Sequence, residues 1–213
     1  MKTGVKILFQ GDSVTDCGRG RDIPAANNSL GGGYVQMIAG RLLCDHPERK
    51  YEIYNRGISG NRVVDLYARW KIDALNMSPD VISILIGVND TWHEFGNRNG
   101  VEVPRYAKVY RELLAWTKEA LPETRLVLCE PFVLPCGAVS ADGGWLPEMA
   151  QRREVVRSLA ADFKATFVPF QGILDAAAKR AAPEHWLGDG VHPTYAGHAL
   201  MADAWIQAAS GLL

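Results

Sequence analysis

Apolar positions along the chain follow two alternating patterns. Short apolar runs at Lys6 to Phe9, Glu52 to Asn55, Val81 to Ile86, Arg125 to Cys129 and Thr166 to Val168 have the length of buried strands. Between them, apolar residues recur at three- and four-residue intervals, which predicts helices. One opens after Gly33 through Tyr34, Ile38 and Leu42. Others span Leu66 to Leu75, Pro104 to Ala120, Pro147 to Phe163, Ile173 to Ala181 and Tyr195 to Ala209. Proline suits a first helical turn, where its missing N–H costs nothing. Strands alternating with helices predict an α/β fold with a five-stranded parallel sheet covered on both faces. In such sheets ligands bind beyond the carboxyl ends of the strands, so the loops that follow the strands are the place to look for chemistry.

Four of those loops carry reactive groups. The first strand, in ILFQGDSVTD, stops at Gly11 and delivers Asp12 and Ser13. The second leads into NRGISGNRVVDL, with Gly57 and Gly60 around a tight polar turn. The third leads into IGVNDTWH, placing Asn89 and Asp90 just past the strand in a loop. Near the C-terminus, HWLGDGVHPTYAGH sets Asp189 three residues before His192. Each has a bland explanation, since Gly, Asn, Asp and Ser are ordinary turn and capping residues. Four at one sheet edge are harder to explain that way. Ester cleavage needs a nucleophile, a base, a group that orients the base, and donors for an oxyanion. Ser13 offers the alcohol, His192 the imidazole to take its proton, and Asp189 a carboxylate for the other ring nitrogen. Asp12, adjacent to Ser13, would point away from it along the chain. The N–H groups of Ser13 and Gly60 and the side-chain amide of Asn89 are the candidate oxyanion donors, each typically worth ~3 kcal/mol in the transition state.

The blocks GDSVTD, GISGN, GVNDTW and DGVHP, in that order and spread over the whole chain, resemble the GDSL-type esterases of the SGNH hydrolase family. Val14 stands where the family name has leucine. The resemblance implies a flavodoxin-like three-layer α/β/α sandwich, Ser13 as nucleophile, Gly60 and Asn89 as oxyanion donors, and Asp189 with His192 as the acid and base pair. Asp12 then supports the serine turn. A narrower stretch, GISGNRVVDLYARW with GVNDTWH and VHPTYAGH, is similar to the acetylxylan-esterase-type carbohydrate esterases, which deacetylate sugars. Lysophospholipase-like and general acylesterase branches share the same four blocks. Asn61, Trp92 and Trp186 are expected to face substrate. His93 and His185 read as accessory, and His46 and His198 as surface or helix residues.

Composition changes this picture only by exclusion. With 213 residues and 47% hydrophobic content, residues 1–213 read as one hydrolase domain. A formal charge of −1 offers no basic field for nucleic acid and no membrane patch. No apolar run approaches the roughly 18 residues of a membrane span, and the apolar stretch near the N-terminus is too short for a signal peptide. Cys17, Cys44, Cys129 and Cys136 show no metal spacing and read as reduced thiols of a cytoplasmic protein. The expected partner is a small-molecule ester, most of all a short acyl ester, because no long apolar loop is left to form an acyl tunnel. A homo-oligomer is left open. So is the role of the Gly- and Pro-containing segment Phe132 to Pro147, which either borders the pocket or mediates assembly. Two rivals stand against catalysis by serine. One is a two-metal hydrolase using Asp12, Asp90, Asp189 and His192, although no HxxxH or DxH spacing supports it. The other is a non-catalytic ligand-binding module on the same scaffold. GDSVTDCG lacks the glycine-rich patterns that cradle phosphates, so no cofactor and no metal is expected.

Overall fold

A computed structural model describes residues 4–21 and 25–213. Strands β1 (Lys6–Gly11), β2 (Glu52–Asn55), β3 (Val81–Leu85), β4 (Arg125–Cys129) and β5 (Thr166–Val168) form a parallel sheet in the order β2-β1-β3-β4-β5. This is the flavodoxin-like order. Gly11 lies opposite Leu85, Leu85 opposite Cys129, and Cys129 opposite Val168. Four strands therefore end level, and the loops that follow them start from one edge.

Period-two alternation assigns each strand residue to a layer. Ile7, Phe9, Val81, Leu85, Val127 and Cys129 pack with helices α2 (Tyr34–Asp45), α7 (Phe170–Ala178) and α9 (Tyr195–Ala209). Leu8, Ile82, Ile84, Leu126 and Leu128 pack on the other face with α3 (Val63–Asp73), α5 (Val103–Ala120) and α6 (Trp145–Asp162). Each layer buries a tryptophan whose N–H is satisfied. Trp205 Nε1 donates to Ser83 Oγ at 2.9 Å, and Trp70 Nε1 to Thr117 Oγ1 at 2.9 Å. A smaller apolar cluster contains no strand residue: Val88, Val133, Val139, Trp145, Met149 and Val191 join the loops beyond the sheet edge.

The structure departs from the sequence reading where polar residues hide structure. β1 continues to Gly11 through Gln10, which is fully buried. Its Nε2 donates to the Asp73 carbonyl, and its Oε1 accepts from Arg69 Nη1. Asn89, Asp90 and Trp92 are not in a loop but in helix α4 (Val88–Asn97). Val88, Trp92 and Phe95 do recur at helical spacing, but with only three apolar positions among polar residues the segment reads as the loop after β3. The single-turn helices α1 (Ser13–Asp16) and α8 (Pro183–Trp186) are too short for any periodicity. Helix α3 begins at Val63 rather than Leu66, α7 at Phe170 rather than Ile173, and Pro147 is the third residue of α6. Among the described residues, no helix is long and apolar enough to cross a membrane.

Candidate active site

Ser13 opens α1 directly after β1. Asp12 caps that turn, its Oδ1 accepting the Val14 N–H at 3.0 Å. The Asp12 side chain is therefore committed to the serine turn. Burial pushes its carboxyl up to about 7, against the opposing pull of the Val14 N–H and of His192. As a first-turn residue, Ser13 has an N–H with no intrahelical acceptor. Burial raises the pKa of the nearby Cys17 thiol, which lowers its thiolate fraction.

The imidazole reaches Ser13 from the loop before α9. Ser13 Oγ lies 2.8 Å from His192 Nε2, and His192 Nδ1 lies 2.7 Å from Asp189 Oδ2. The carboxylate can only accept, so Nδ1 carries the proton and Nε2 is left to accept from the serine hydroxyl. Asp189 Oδ1 accepts the N–H groups of Val191 at 3.0 Å and His192 at 2.7 Å. Partial burial works against the Asp189 charge. The His192 N–H, its ring and the Val191 N–H outweigh that and hold the carboxyl below its ordinary value.

The segment running from Phe132 toward α6 braces this loop. Leu134 N donates to the Gly190 carbonyl and Ala138 N to the Asp189 carbonyl, both at 2.9 Å. Gly137 lies at φ +55, and a Cβ there would sit 2.6 Å from Asp189 Cα. Glycine is what lets the two backbones meet.

The other candidate oxyanion donors come from the turn after β2 and from the first turn of α4. Gly60 has φ +83, and a Cβ there would meet no protein atom within 4 Å. Backbone conformation, not crowding by the protein, requires the glycine. Asn89 Nδ2 donates to the Asn61 carbonyl at 3.1 Å, leaving its second amide hydrogen for another acceptor. Asn61 is itself held, since its Oδ1 accepts from Arg69 Nε at 2.7 Å. Arg69 also donates to the Arg56 carbonyl at 2.9 Å and the Gly11 carbonyl at 3.3 Å. It thus ties the turn bearing Gly60 to the end of β1. Nothing in its local sequence marks Arg69 for this role, because its partners come from β1 and the loop after β2; by itself it reads as one more charged helix residue.

Of the expected substrate-facing aromatics, Trp92 lies beside the candidate base, with ring centroids 5.8 Å from His192 and 5.6 Å from Trp145. Trp186 does not have the open face expected of a sugar platform. It is 8% exposed, belongs to the core layer under α9, and is covered by the Arg180 guanidinium at 5.1 Å. Its carbonyl instead accepts the Thr194 N–H at 2.9 Å and steadies the loop that carries His192. His185 packs against Trp186, and His198 is buried in α9, where its Nδ1 accepts the Tyr34 N–H. Asp12, Asp90, Asp189 and His192 do not converge as a metal set. Among the described residues, no three His, Cys, Asp or Glu side chains are grouped to hold an ion.

A flavodoxin-like sheet with a serine, a glycine turn, an asparagine and an Asp-His loop at one edge defines the class of SGNH-type ester hydrolases. The sequence profile of the GDSL-like Lipase/Acylhydrolase family matches residues 9–200, and the chain belongs to that family. An acetylxylan esterase from Geobacillus stearothermophilus is 35% identical over 210 residues, covering 96% of this chain and 94% of that protein. Its crystal structure matches with a TM-score of 0.88 over 97% of this chain and 94% of that one. A protein named as a GDSL-like lipase from Parabacteroides merdae matches with a TM-score of 0.96 and 47% identity, covering 100% of this chain and 98% of that one. Catalytic mutants of the Geobacillus enzyme have also been solved, with a serine, an aspartate and a histidine each replaced by alanine.

Proposed function

We propose that this carboxylic ester hydrolase removes short acyl groups, acetyl above all, from carbohydrate esters through Ser13, His192 and Asp189. The observation that carries the reading is the unbroken hydrogen-bonded chain Ser13 Oγ, His192 Nε2, His192 Nδ1, Asp189 Oδ2, with links of 2.8 and 2.7 Å. The three positions replaced in the catalytic mutants of the Geobacillus enzyme are separated along its chain as these three are here. Ser13 Oγ attacks the ester carbonyl as its proton passes to His192 Nε2. The carbonyl oxygen becomes an oxyanion facing the N–H groups of Ser13 and Gly60 and the Asn89 amide. The C–O bond then breaks, and His192 returns the proton to the departing sugar hydroxyl. Water, deprotonated by the same ring, attacks the acyl-serine; acetate leaves and Ser13 regains its proton.

The similarity to an acetylxylan esterase supports a short acyl group. The small apolar cavity beside Asp12, bounded by Val14, Leu85, Ile86, Val88 and Val191, measures only ≈ 10 Å³, too little to take up a run of methylenes. Trp92 offers the neighbouring flat face for a sugar ring. Across p-nitrophenyl acetate, butyrate and octanoate, kcat/KM should fall stepwise, since each methylene is worth only ~1–3 kcal/mol. Acetate should be released from acetylated xylose. A preference for octanoate would point instead to the lysophospholipase-like or general acylesterase reading. Failure of a fluorophosphonate to label Ser13 would favour a ligand-binding module.

Asn89→Ala should lower kcat ~100-fold with KM nearly unchanged, the signature of a donor engaged in the transition state. If KM rises while kcat holds, Asn89 binds substrate instead.

A further inference from the structure

Gly60 and Asn89 lie on different segments, so some contact has to set their spacing. Asp90, fully buried and next to Asn89, accepts the Val63 N–H with both carboxylate oxygens, at 3.1 and 3.2 Å. Val63 is the first residue of α3, three positions after Gly60. One carboxylate thus joins the start of α3 to the start of α4.

Arg152 of α6, 1% exposed, grips the same helix from behind. Its Nε donates to Thr91 Oγ1 at 2.7 Å, and its Nη2 to the Val101 carbonyl at 2.8 Å. The Val101 N–H in turn donates to the Asp90 carbonyl at 3.0 Å. The guanidinium stands 5.4 Å over the Tyr106 ring, and Nη1 has no protein acceptor. The Asp90 carboxylate and the Arg152 guanidinium are both withdrawn from water here. Arg152 Nη2 also lies 3.4 Å from Glu148 Oε2 on its own helix, so the guanidinium keeps a carboxylate partner without Asp90, whereas losing the Arg152 charge takes a favourable field away from Asp90.

We propose that Asp90 and Arg152 are positioning residues for the oxyanion donors. The carboxylate clamps the turn that follows Gly60 to the helix that carries Asn89, and the guanidinium locks that helix against α6. Neither touches substrate. The inference rests on the assignment of Gly60 and Asn89 as oxyanion donors.

The groups facing Asp90 are Arg152 from α6, Asp12 from the end of β1, Tyr106 from α5 and Arg62 ahead of α3. Burial raises the Asp90 carboxyl to about 7; the Val63 N–H and the Arg152 charge pull it down, and Asp12 pushes it up. Tyr106 stays neutral, because burial raises its phenol far above the usual value. Protonating Asp90 costs one of its acceptor sites, so the clamp weakens as pH falls through about 7. Removing the Arg152 charge moves that loss to higher pH.

The test measures kcat and KM for p-nitrophenyl acetate from pH 5.5 to 9 in the wild type, Asp90→Asn, Arg152→Met and Arg152→Lys, with thermal melting of each. Arg152→Met should lower kcat at pH 7 by ~10- to 100-fold with KM within about twofold, and its acid limb should move up by about one pH unit. Arg152→Lys should recover most of the rate. Asp90→Asn, which cannot gain the proton, should lower kcat ~10-fold and lose the Asp90 contribution to the acid limb. If Arg152→Met does not fold, the near-isosteric Asp90→Asn decides. Variants that melt earlier but keep the wild-type kcat and acid limb would overturn the proposal and leave a structural role. Asn89→Ala separates the two readings. Full activity in that variant removes the oxyanion assignment, whereas its loss beside an unaffected Asp90→Asn removes the positioning role alone.

Discussion

Ser13→Ala should abolish ester hydrolysis, with kcat falling on the order of 10⁵-fold while the fold stays intact. The Ser13 hydroxyl donates to His192 Nε2 at 2.8 Å and carries no structural bond that alanine would break. The turn around it is capped by Asp12, and Val14 behind it is buried. The melting temperature should therefore change little. His192→Ala should cost nearly as much, and the double variant should be hardly worse than either, because the members of such a triad act as a unit. Steady-state hydrolysis of p-nitrophenyl acetate checks this directly. A Ser13→Ala enzyme that keeps a tenth of wild-type turnover would exclude Ser13 as the nucleophile. Residual catalysis over water is expected even so, since the Gly60 N–H and the Asn89 amide remain in place.

Asp189→Asn should cost on the order of 10³- to 10⁴-fold in kcat, and the geometry explains why so small a change is so damaging. Oδ1 accepts two backbone N–H groups, from Val191 and His192. An asparagine must keep its oxygen there, because an amide nitrogen would set donor against donor. Its NH₂ group is then turned toward His192 Nδ1, where the carboxylate oxygen Oδ2 had accepted at 2.7 Å. The ring must now accept at Nδ1 and carry its proton on Nε2, so it cannot take the proton of Ser13. Loss of the charge also removes stabilisation of the imidazolium. KM should move much less than kcat. A variant within tenfold of wild type would mean that Asp189 does not set the tautomer.

Local periodicity and local chemistry were legible without coordinates. The five strands could be read as short apolar runs because a sheet covered on both faces buries successive positions, and the six longer helices because burial of one face imposes a period of 3.6. Ser13, Gly60, Asn89, Asp189 and His192 stood out because each follows a strand or precedes a helix, where the fold class places ligands. Asp189 and His192 could even be paired, since three residues in one turn fix their contact. What was missed lay where a side chain's partner comes from a distant segment. Helix α4 has a short stripe of Val88, Trp92 and Phe95, but what holds it comes from elsewhere: Asp90 reaches the start of α3, Arg152 reaches it from α6, and the small cluster around Trp145 packs on it. The environment of Trp186 depends on α9 and Arg180, and that of Asn61 on Arg69 across α3. The sequence by itself determined the layers, the order of elements and the kinds of reactive group at the sheet edge, because these follow from near neighbours. Only the tertiary structure decided which charges are buried, which aromatics keep an open face and how the donors are spaced, because those depend on packing between segments far apart in the chain.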